Sequence, residues 1–286
     1  MRFGMIYTMI NAENKMLLEA ARKRNIELEK INENELVLRI TETEQRESEN
    51  YDAILQRSTS FTRTLYSTRY FEERGVRVIN SFDAQRLCGD KLLCSLALTK
   101  LGVPTPRTLV AFSPQGAMAA IKELGYPVVM KPTMGSWARL VHKINDYEAA
   151  QAALEGREEM GNAWQKIYYV QKHIEKPGRD IRAFVVGDEV VAAIYRVARE
   201  GEWVTNTSRG GRAEKCEVTS ELRELCLRAV RAPGEGIYGV DMMEDADGKL
   251  LVHEINHTTE FRNSVAPTGV DIPGKMIEYM AKVARK

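Results

Sequence analysis

Segments with the pattern of β-strands alternate with segments with the pattern of α-helices through the first 80 residues of this 286-residue chain. The strand patterns cover residues 2–9, 51–56 and 76–79, and the helical patterns cover residues 12–24 and 62–74. Alternation of this kind is typical of a parallel sheet with helices on both faces, a doubly wound unit. The sequence therefore predicts a small α/β domain over residues 1–80.

The rest of the chain, residues 81–286, combines helical patterns with two β-hairpins. Gly187-Asp188 forms a tight turn between strand patterns at 180–186 and 189–197. A second turn, at 245–248, separates strand patterns at 238–243 and 250–256. We expect a second α/β domain here, with a central subdomain at about residues 111–175 that serves as a lid.

Composition and charge exclude several classes of protein. The net charge is only +1, so no global field favours a nucleic acid or a membrane surface as partner. The apolar run after Arg2 is too short for a signal peptide, and no stretch approaches the ~20 apolar residues of a membrane span. We expect a cytoplasmic protein. Its cysteines lack metal-ligand spacing and are expected to be reduced and buried; they are Cys88, Cys94, Cys216 and Cys226.

Three motifs match functional patterns in the wrong structural context. Residues 253–257 (His-Glu-Ile-Asn-His) match a zinc-protease motif, which requires a helix, but they end a strand pattern, where residues four apart are separated by about 13 Å. Residues 269–275 match a phosphate-binding loop, but Met276 replaces its hydroxyl residue. Residues 234–239 match a dinucleotide fingerprint, but they follow a helix and open a strand. We reject all three functions.

Acidic and amide side chains converge on the last predicted hairpin. Glu254 and Asn256 are two residues apart on one strand, so they share a face, and Asp241 lies on the partner strand. Oxygen ligands of this kind suit Mg²⁺. A Mg²⁺ site is one interpretation, and an exposed polar face of a half-buried hairpin is the other. The apolar neighbours favour the first, since acidic groups that face the interior need cations.

Two lysines can supply positive charge for phosphate. Lys131 ends an apolar strand pattern, and a loop with Gly135 and Ser136 follows it directly. A lysine beside a small-residue loop can hold phosphate by its charge and by backbone N–H groups. Lys91, at the start of a helical pattern, can add a second charge. Taken singly, a lysine at a strand end is more often simply solvated.

Together these segments resemble the ATP-grasp superfamily over residues 80–286, and the first 80 residues are similar to the α/β domain that usually precedes this fold. The resemblance is nearest to the RimK-like group, and within it to the LysX and ArgX carrier-protein ligases. It rests on Asp90-Lys91, 129–132, Val170-Gln171, 178–182, Asn206, 209–211, 239–241, 254–256 and the ending 256–274. It implies an ATP- and Mg²⁺-dependent ligase that joins a carboxylate to an amine through an acyl phosphate.

The resemblance implies which positions bind the nucleotide and the metal. The positions implied for ATP phosphates are Lys91, Lys131 and the closing loop Gly135, Ser136 and Trp137. Those implied for adenine, through the backbone, are Gln171, Lys172, His173 and Ile174, with Asp180 near the ribose. Those implied for Mg²⁺ are Asp241, Glu254 and Asn256. Many relatives have an acidic residue and an aromatic where this chain has Lys172-His173, which puts adenine contacts to side chains in doubt.

The resemblance also implies the substrates. The carboxylate would be the side chain of the C-terminal glutamate of a small acidic carrier protein, LysW, and the amine that of α-aminoadipate or glutamate. These amino acids differ by one methylene, worth ~1–3 kcal/mol in a pocket, so the choice stays open. Positions implied for the reacting groups or the free amino acid are Arg196, Asn206, Arg209, Arg262, Asn263 and Ser264. Candidates for docking the acidic tail are Arg57, Arg63, Arg69 and Arg74, which alternatively form an ordinary solvated face.

Two other functions stay open from the sequence. One is a RimK-like ligase that adds glutamate to another protein tail or to a cofactor. The other is a non-catalytic nucleotide-binding module, which the intact set of Asp241, Glu254 and Asn256 disfavours. The resemblance also implies a homo-oligomer, a dimer or a tetramer, although nothing in the sequence itself decides the oligomeric state.

Overall fold

The computed structural model of the protein describes residues 1–42, 50–135, 139–205 and 210–285, and it forms three β-sheets flanked by helices in these ranges. Among the described helices, none has both the length and the apolar character needed to cross a bilayer. The architecture is the expected α/β class.

The first sheet is parallel, with strand order β2-β1-β3-β4. Its strands are β1 (Phe3–Tyr7), β2 (Leu28–Asn32), β3 (Ala53–Arg57) and β4 (Arg77–Ile79). Its helices are α1 (Ala12–Lys23) and α2 (Phe61–Glu72). Successive residues of β1 face opposite cores, with Met5 packed beside α1 and Ile6 beside α2. Both faces are therefore covered, as predicted for a doubly wound unit.

The second sheet is antiparallel, with strand order β11-β10-β9-β12-β13. Its strands are β9 (Arg179–Val186), β10 (Glu189–Val197), β11 (Arg212–Cys216), β12 (Ile237–Glu244) and β13 (Leu250–Asn256). One face packs on α3 (Phe82–Gly89), α4 (Lys91–Lys100) and α7 (Ser220–Val230). Helices α8 (Arg262–Thr268) and α9 (Ile272–Val283) lie on the opposite side. Both predicted hairpins are present.

The third sheet lies in the stretch where a central subdomain is expected. It is antiparallel, with order β5-β8-β6-β7. The strands are β5 (Thr108–Ala111), β6 (Val128–Lys131), β7 (His142–Ile144) and β8 (Tyr168–Lys172), with helices α5 (Pro114–Leu124) and α6 (Tyr147–Met160). Its buried residues form a cluster of their own, which includes Ile121, Val128 and Leu154.

The first sheet and the last helix share one hydrophobic core. Met5 and Leu17 of the first unit pack in the same cluster as Met276 and Met280 of α9 and Phe184 of β9. At the edge of this contact, Arg24 forms ion pairs with Asp271 and Glu278 at 2.9 and 2.8 Å. The chain therefore closes on itself, with its two ends packed together.

Four elements were not predicted from the sequence: β2, β11, α3 and α8. The contexts of the three rejected motifs agree with their rejection. Residues 253–256 lie in β13, residues 234–236 lead into β12, and residues 269–275 span the end of α8 and the first turn of α9.

Candidate functional site

A cavity of about 320 Å³ lies where the three sheets meet, and we refer to it as the central cavity. Its lining includes Arg57 of β3, Lys131 of β6, Asp180 of β9, Asp241 of β12 and Glu254 of β13. Seven described lysines and arginines line it, against four carboxylates, although the whole chain carries a net charge of only +1. The positive charge of the protein is thus concentrated where an anionic ligand would enter.

The hairpin of β12 and β13 brings the predicted metal-binding residues together. Asp241 lies directly opposite Glu254 in the register, and Asn256 lies opposite Gly239. The register shifts between Asp241 and Met242, so that His253 is an extra residue in β13. Because a bulge breaks the alternation of side chains, His253 and Glu254 both line the central cavity.

Asp241 is held in a buried network of ion pairs. Both of its oxygens accept hydrogen bonds of 2.7 Å from Arg182, and Arg196 lies 3.1 Å away. Arg196 also donates a 2.6 Å bond to Asp180. Burial alone would raise the pKa of both aspartates, but the neighbouring arginines outweigh it and lower each pKa below its ordinary value. Both carboxylates are therefore ionised.

Lys91 connects three elements around Glu254. Its ammonium lies 3.3 Å from a Glu254 oxygen and donates a 3.0 Å bond to the carbonyl of Gly135. Burial would raise the pKa of Glu254, but the charge of Lys91 lowers it overall. Two of the predicted phosphate-binding positions, Lys91 and Gly135, are thus in direct contact.

Lys131 ends β6 with its ammonium buried against the wall of the cavity. The ammonium donates a 2.7 Å bond to the side-chain oxygen of Gln171, whose amide donates to Thr108 and Tyr169. Burial lowers the pKa of Lys131 to about 8, against the opposing charge of Glu254. The side chain of Gln171 therefore orients the Lys131 ammonium at the wall of the cavity.

The donor set of Asp241, Glu254 and Asn256 fits Mg²⁺ in chemistry. Two ionised carboxylates and an amide oxygen on neighbouring strands are hard ligands facing one cavity. Within the described ranges, no group of three or more His, Cys, Asp and Glu side chains has the arrangement of a metal site. Mg²⁺ in proteins usually keeps several waters and shares phosphate oxygens with its substrate.

The segment predicted to read adenine has most of its N–H groups in use. The N–H of Lys172 donates to Arg107 and that of His173 to Pro127. The Lys172 ammonium donates to the carbonyl of Gly125, beyond the end of α5. Adenine contacts in this segment would therefore involve its carbonyl groups and the N–H group of Ile174. The His173 ring lies 6.2 Å from the ring of Trp203, which lines the cavity.

Three predicted substrate positions do not line the central cavity. Arg262, Asn263 and Ser264 form the first turn of α8. Arg262 is exposed with its Nε 3.9 Å from Glu13, Asn263 is exposed, and Ser264 is buried in the core side of the helix. The remaining predicted positions lie outside the described residues, so the structure gives no account of them; they are Ser136, Trp137, Asn206 and Arg209.

One of the four candidate docking arginines does not lie on a solvated helix face. Arg57 is buried because it ends β3, a strand whose residues are all buried, and it lines the central cavity. The others contact their neighbours on or near α2. Arg63 bonds to Asn34, Arg69 pairs with Glu73, and Arg74 stacks on Tyr70.

Several cavity residues were missed by the sequence analysis. Arg182 is two residues from Asp180 on β9, and the two-residue period of a strand would have placed both on one face. Lys176 lies 3.5 Å from Asp180, and Thr205 donates a hydrogen bond to the same carboxylate. Both lie in irregular segments, where no periodicity could have indicated them.

Comparison with known proteins identifies the class to which this fold and cavity belong. Residues 88–280 match the family model of the RimK-like ATP-grasp domain, and residues 3–87 match that of the LysX preATP-grasp domain. The crystal structure of a RimK domain ATP-grasp protein from Sphaerobacter thermophilus superposes with a TM-score of 0.81 at 25% identity, over 98% of this chain and 99% of that one. The protein is an ATP-dependent carboxylate–amine ligase of the ATP-grasp fold.

Two relatives place the chain in a particular group of this family. The α-aminoadipate–LysW ligase LysX of Saccharolobus solfataricus is 35% identical over 96% of this chain and 98% of its own length. The glutamate–LysW ligase ArgX of Sulfurisphaera tokodaii is 32% identical over 98% of both chains. The chain belongs to the RimK-like ATP-grasp family, in the group that contains the LysX and ArgX ligases.

Proposed function

We propose that this ligase joins the side-chain carboxylate of the C-terminal glutamate of a LysW-type carrier protein to the α-amino group of glutamate or α-aminoadipate. The observation that carries the proposal is a cavity in which Asp241 and Glu254 face Lys91 and Lys131. Such a cavity supports phosphoryl transfer to a carboxylate. The proposed substrates are those in the names of the two relatives, which are similar to this chain over almost its whole length.

In this proposal, each group of residues has a separate task. Lys91 and Lys131 bind the phosphates of ATP, and Asp241, Glu254 and Asn256 hold Mg²⁺. The bound ion neutralises charge on the transferred phosphoryl group. Arg196 acts as a positioning residue, since it keeps Asp180 and Asp241 ionised and fixed in place.

The reaction follows in two steps. A carboxylate oxygen of the carrier attacks the γ-phosphorus, the bond to the bridging oxygen breaks, and ADP leaves. The amino nitrogen of the acceptor then attacks the carbonyl of the acyl phosphate, and phosphate leaves as the amide forms and a proton is lost. No covalent nucleophile of the protein is needed, because catalysis depends on position and charge. The third sheet, with its separate core, is our candidate for the lid.

The decisive experiment measures phosphate release from MgATP with a panel of amino acids, with and without a purified LysW-type carrier. We expect release that requires the carrier and either glutamate or α-aminoadipate, and a mass gain on the carrier equal to the amino acid minus water. Release that requires an amino acid but not the carrier would refute the carrier as the substrate that is phosphorylated, and it would favour another RimK-like ligase. Nucleotide binding without release in any combination would favour a binding module.

The same assay tests the metal assignment. Glu254→Gln keeps the size of the side chain but removes its charge, so turnover should fall to background while the circular dichroism spectrum is unchanged. Normal turnover in this variant would show that Glu254 does not hold the ion.

A further inference from the structure

One end of the central cavity is built by the first sheet, and the proposed phosphate and metal sites leave it unused. The strand order β2-β1-β3-β4 reverses direction between β1 and β3. In open parallel sheets, ligands bind at the carboxyl ends of the strands at such a reversal. The residues that follow these two ends, Asn11 after β1 and Ser58 and Thr59 after β3, line the cavity. We refer to this part as the switch-point end.

Arg57 places a buried positive charge at the switch-point end. It is 7% exposed and lines the cavity. One guanidinium nitrogen donates a 3.2 Å bond to the carbonyl of Thr259, whereas Nε has no hydrogen-bond partner among the described residues. Burial lowers the pKa of Arg57 to about 10, while the charges of Glu13 and Glu260 act in the opposite direction. Arg57 therefore remains positively charged at neutral pH.

The contrast with the other buried arginines of the cavity is direct. Arg182 and Arg196 bind carboxylates at 2.7 and 2.6 Å. In the described ranges, Arg57 has no carboxylate within ion-pair distance, and its only hydrogen bond is to a neutral carbonyl. Glu13 and Glu260 act on this charge only from beyond ion-pair distance. A buried guanidinium without a directly paired carboxylate is costly, so it is expected where a ligand supplies one.

Two hydroxyl groups at the same end also have no hydrogen-bond partner in the described part of the chain. The hydroxyl oxygens of Ser58 and Thr64 are buried and make no hydrogen bond to any described residue, and both residues line the cavity. Buried polar atoms are satisfied in most proteins, so three orphaned groups on one wall indicate a missing acceptor. A carboxylate accepts from a guanidinium and from hydroxyls at the same time.

We propose that Arg57, Ser58 and Thr64 form a subsite for a substrate carboxylate that does not react. The carboxylate to be phosphorylated must lie near the nucleotide phosphates, beside Lys91 and Lys131. The subsite would take a second carboxylate, either one that belongs to the free amino acid or the terminal α-carboxylate of the carrier. The subsite rests on the proposed function only for the identity of these substrates.

The test compares Arg57→Gln with Arg22→Gln, a matched removal of an exposed arginine outside the cavity. Loss of a charged hydrogen bond should raise the KM for one carboxylate substrate about tenfold or more in Arg57→Gln. The KM for ATP should change by less than about twofold, and Arg22→Gln should behave as wild type. A higher KM for glutamate or α-aminoadipate would show that the subsite binds a carboxylate of the free amino acid. A higher KM for the carrier would show that it binds the carrier's terminal α-carboxylate. Unchanged KM values for both would overturn the subsite.

A second variant guards against a misfolded Arg57→Gln protein. Thr64→Val keeps the shape of the side chain and removes a hydroxyl that bonds to no described residue, so the fold should be retained. The same KM should rise about two- to tenfold, the effect of one neutral hydrogen bond. A folded Thr64→Val protein with wild-type KM values would show that the Thr64 hydroxyl does not bind the carboxylate, and the subsite as proposed would be refuted.

Direct binding separates failure of the subsite from failure of the proposed function. Glutamate and α-aminoadipate are titrated calorimetrically into wild type and Arg57→Gln, each saturated with a non-hydrolysable ATP analogue and Mg²⁺. If wild type shows no carrier-dependent turnover, but binds an amino acid that Arg57→Gln does not bind, the function fails and the subsite stands. If wild type shows carrier-dependent turnover, and Arg57→Gln has the same binding and kinetics as wild type, the proposed function stands and the subsite is refuted.

Discussion

Three carboxylates of the central cavity are held by basic side chains of the protein. Asp180 and Asp241 share Arg196, Asp241 also binds Arg182, and Glu254 lies beside Lys91. Each ion pair offsets part of the desolvation free energy of its members, but removal of one member leaves the other buried and unpaired. Single substitutions here should therefore affect stability as well as activity.

Arg196→Met should destabilise the fold by about 3–5 kcal/mol, because two buried aspartates lose their common partner. The free energy of unfolding from urea denaturation measures this effect. Arg199→Met, an exposed control nearby, should change it by less than about 0.5 kcal/mol. A loss below about 1 kcal/mol for Arg196→Met would show that this network is not needed for stability.

Lys131 should give the activity a pH dependence in the alkaline range. Since burial lowers its pKa to about 8, the ammonium that binds phosphate loses its proton as the pH rises through that value. We expect kcat/KM for ATP, which reports on the free enzyme, to fall above about pH 8. Lys131→Arg, which stays charged, should remove this dependence, and a wild-type profile that stays flat to pH 9.5 or so would exclude it.

The same pKa shift affects stability with a defined sign. Between about pH 8 and the ordinary value of 10.5, the unfolded chain binds a proton at Lys131 that the folded protein does not. The contribution of this residue to stability therefore rises with pH across that window. Lys131→Met should lose this rise in a urea denaturation series.

The hairpin of β12 and β13 is the element that assembles the predicted metal ligands. Its two strands hold Asp241, Glu254 and Asn256 in register, and the bulge at His253 turns Glu254 toward the cavity. Gly239 allows the close approach that this register needs. A Cβ there would lie 2.4 Å from the hydroxyl oxygen and 2.9 Å from the Cβ of Thr259.

Gly239→Ala should therefore destabilise the protein by about 1–3 kcal/mol and reduce turnover, because the end of the hairpin must shift. Gly156→Ala is a suitable comparison, since a Cβ at that position in α6 meets only Met160, at 3.9 Å. In the interior of a helix this second change should stabilise by about 0.5–1 kcal/mol. Thermal unfolding and steady-state turnover measure both, and a neutral Gly239→Ala would show that the contact relaxes freely.

Elements with a strong pattern could be predicted from the sequence, and elements at the edges could not. β2 and β11 are edge strands with mostly half-buried or exposed side chains, so they lack the apolar pattern on which a strand prediction depends. Helix α8 is short and contains Pro267. The juxtaposition of Asp241 and Glu254 followed from one turn, because local chemistry sets the register of a hairpin.

Contacts between distant segments were beyond the reach of sequence reasoning. The bond from Lys91 to Gly135 and the burial of Arg57 depend on how three sheets pack, which local periodicity does not record. The ion pair between Arg262 and the buried Glu13 is another such contact, and the prediction that Arg262 binds the substrate stays a prediction.

At the scale of the whole molecule, the first unit depends on the last helix for its core. The buried residues of α9 include Ile272, Met276, Ile277, Met280 and Val283. Burial of an aliphatic side chain contributes about 1.5–3 kcal/mol, so α9 accounts for roughly 8–15 kcal/mol, comparable with the whole stability of a typical domain.

A chain that ends at Thr268 should therefore fail to fold, including its first 80 residues. Circular dichroism and one-dimensional proton NMR would show loss of native structure, and a fragment of residues 1–80 should be equally unstructured. In the full chain, probes in the first and second sheets should report a single urea transition. A native spectrum from the isolated fragment would show that the shared core is dispensable.

The shared core also has a consequence for synthesis on the ribosome. The first sheet emerges early, but its apolar face stays uncovered until residues 272–283 have been made. About 190 residues separate the two, so at 5–20 residues per second the exposed interval lasts roughly 10–40 seconds. During that time the nascent chain exposes Met5 and Leu17 to solvent, and we expect a chaperone that binds apolar segments to raise the yield of folded protein.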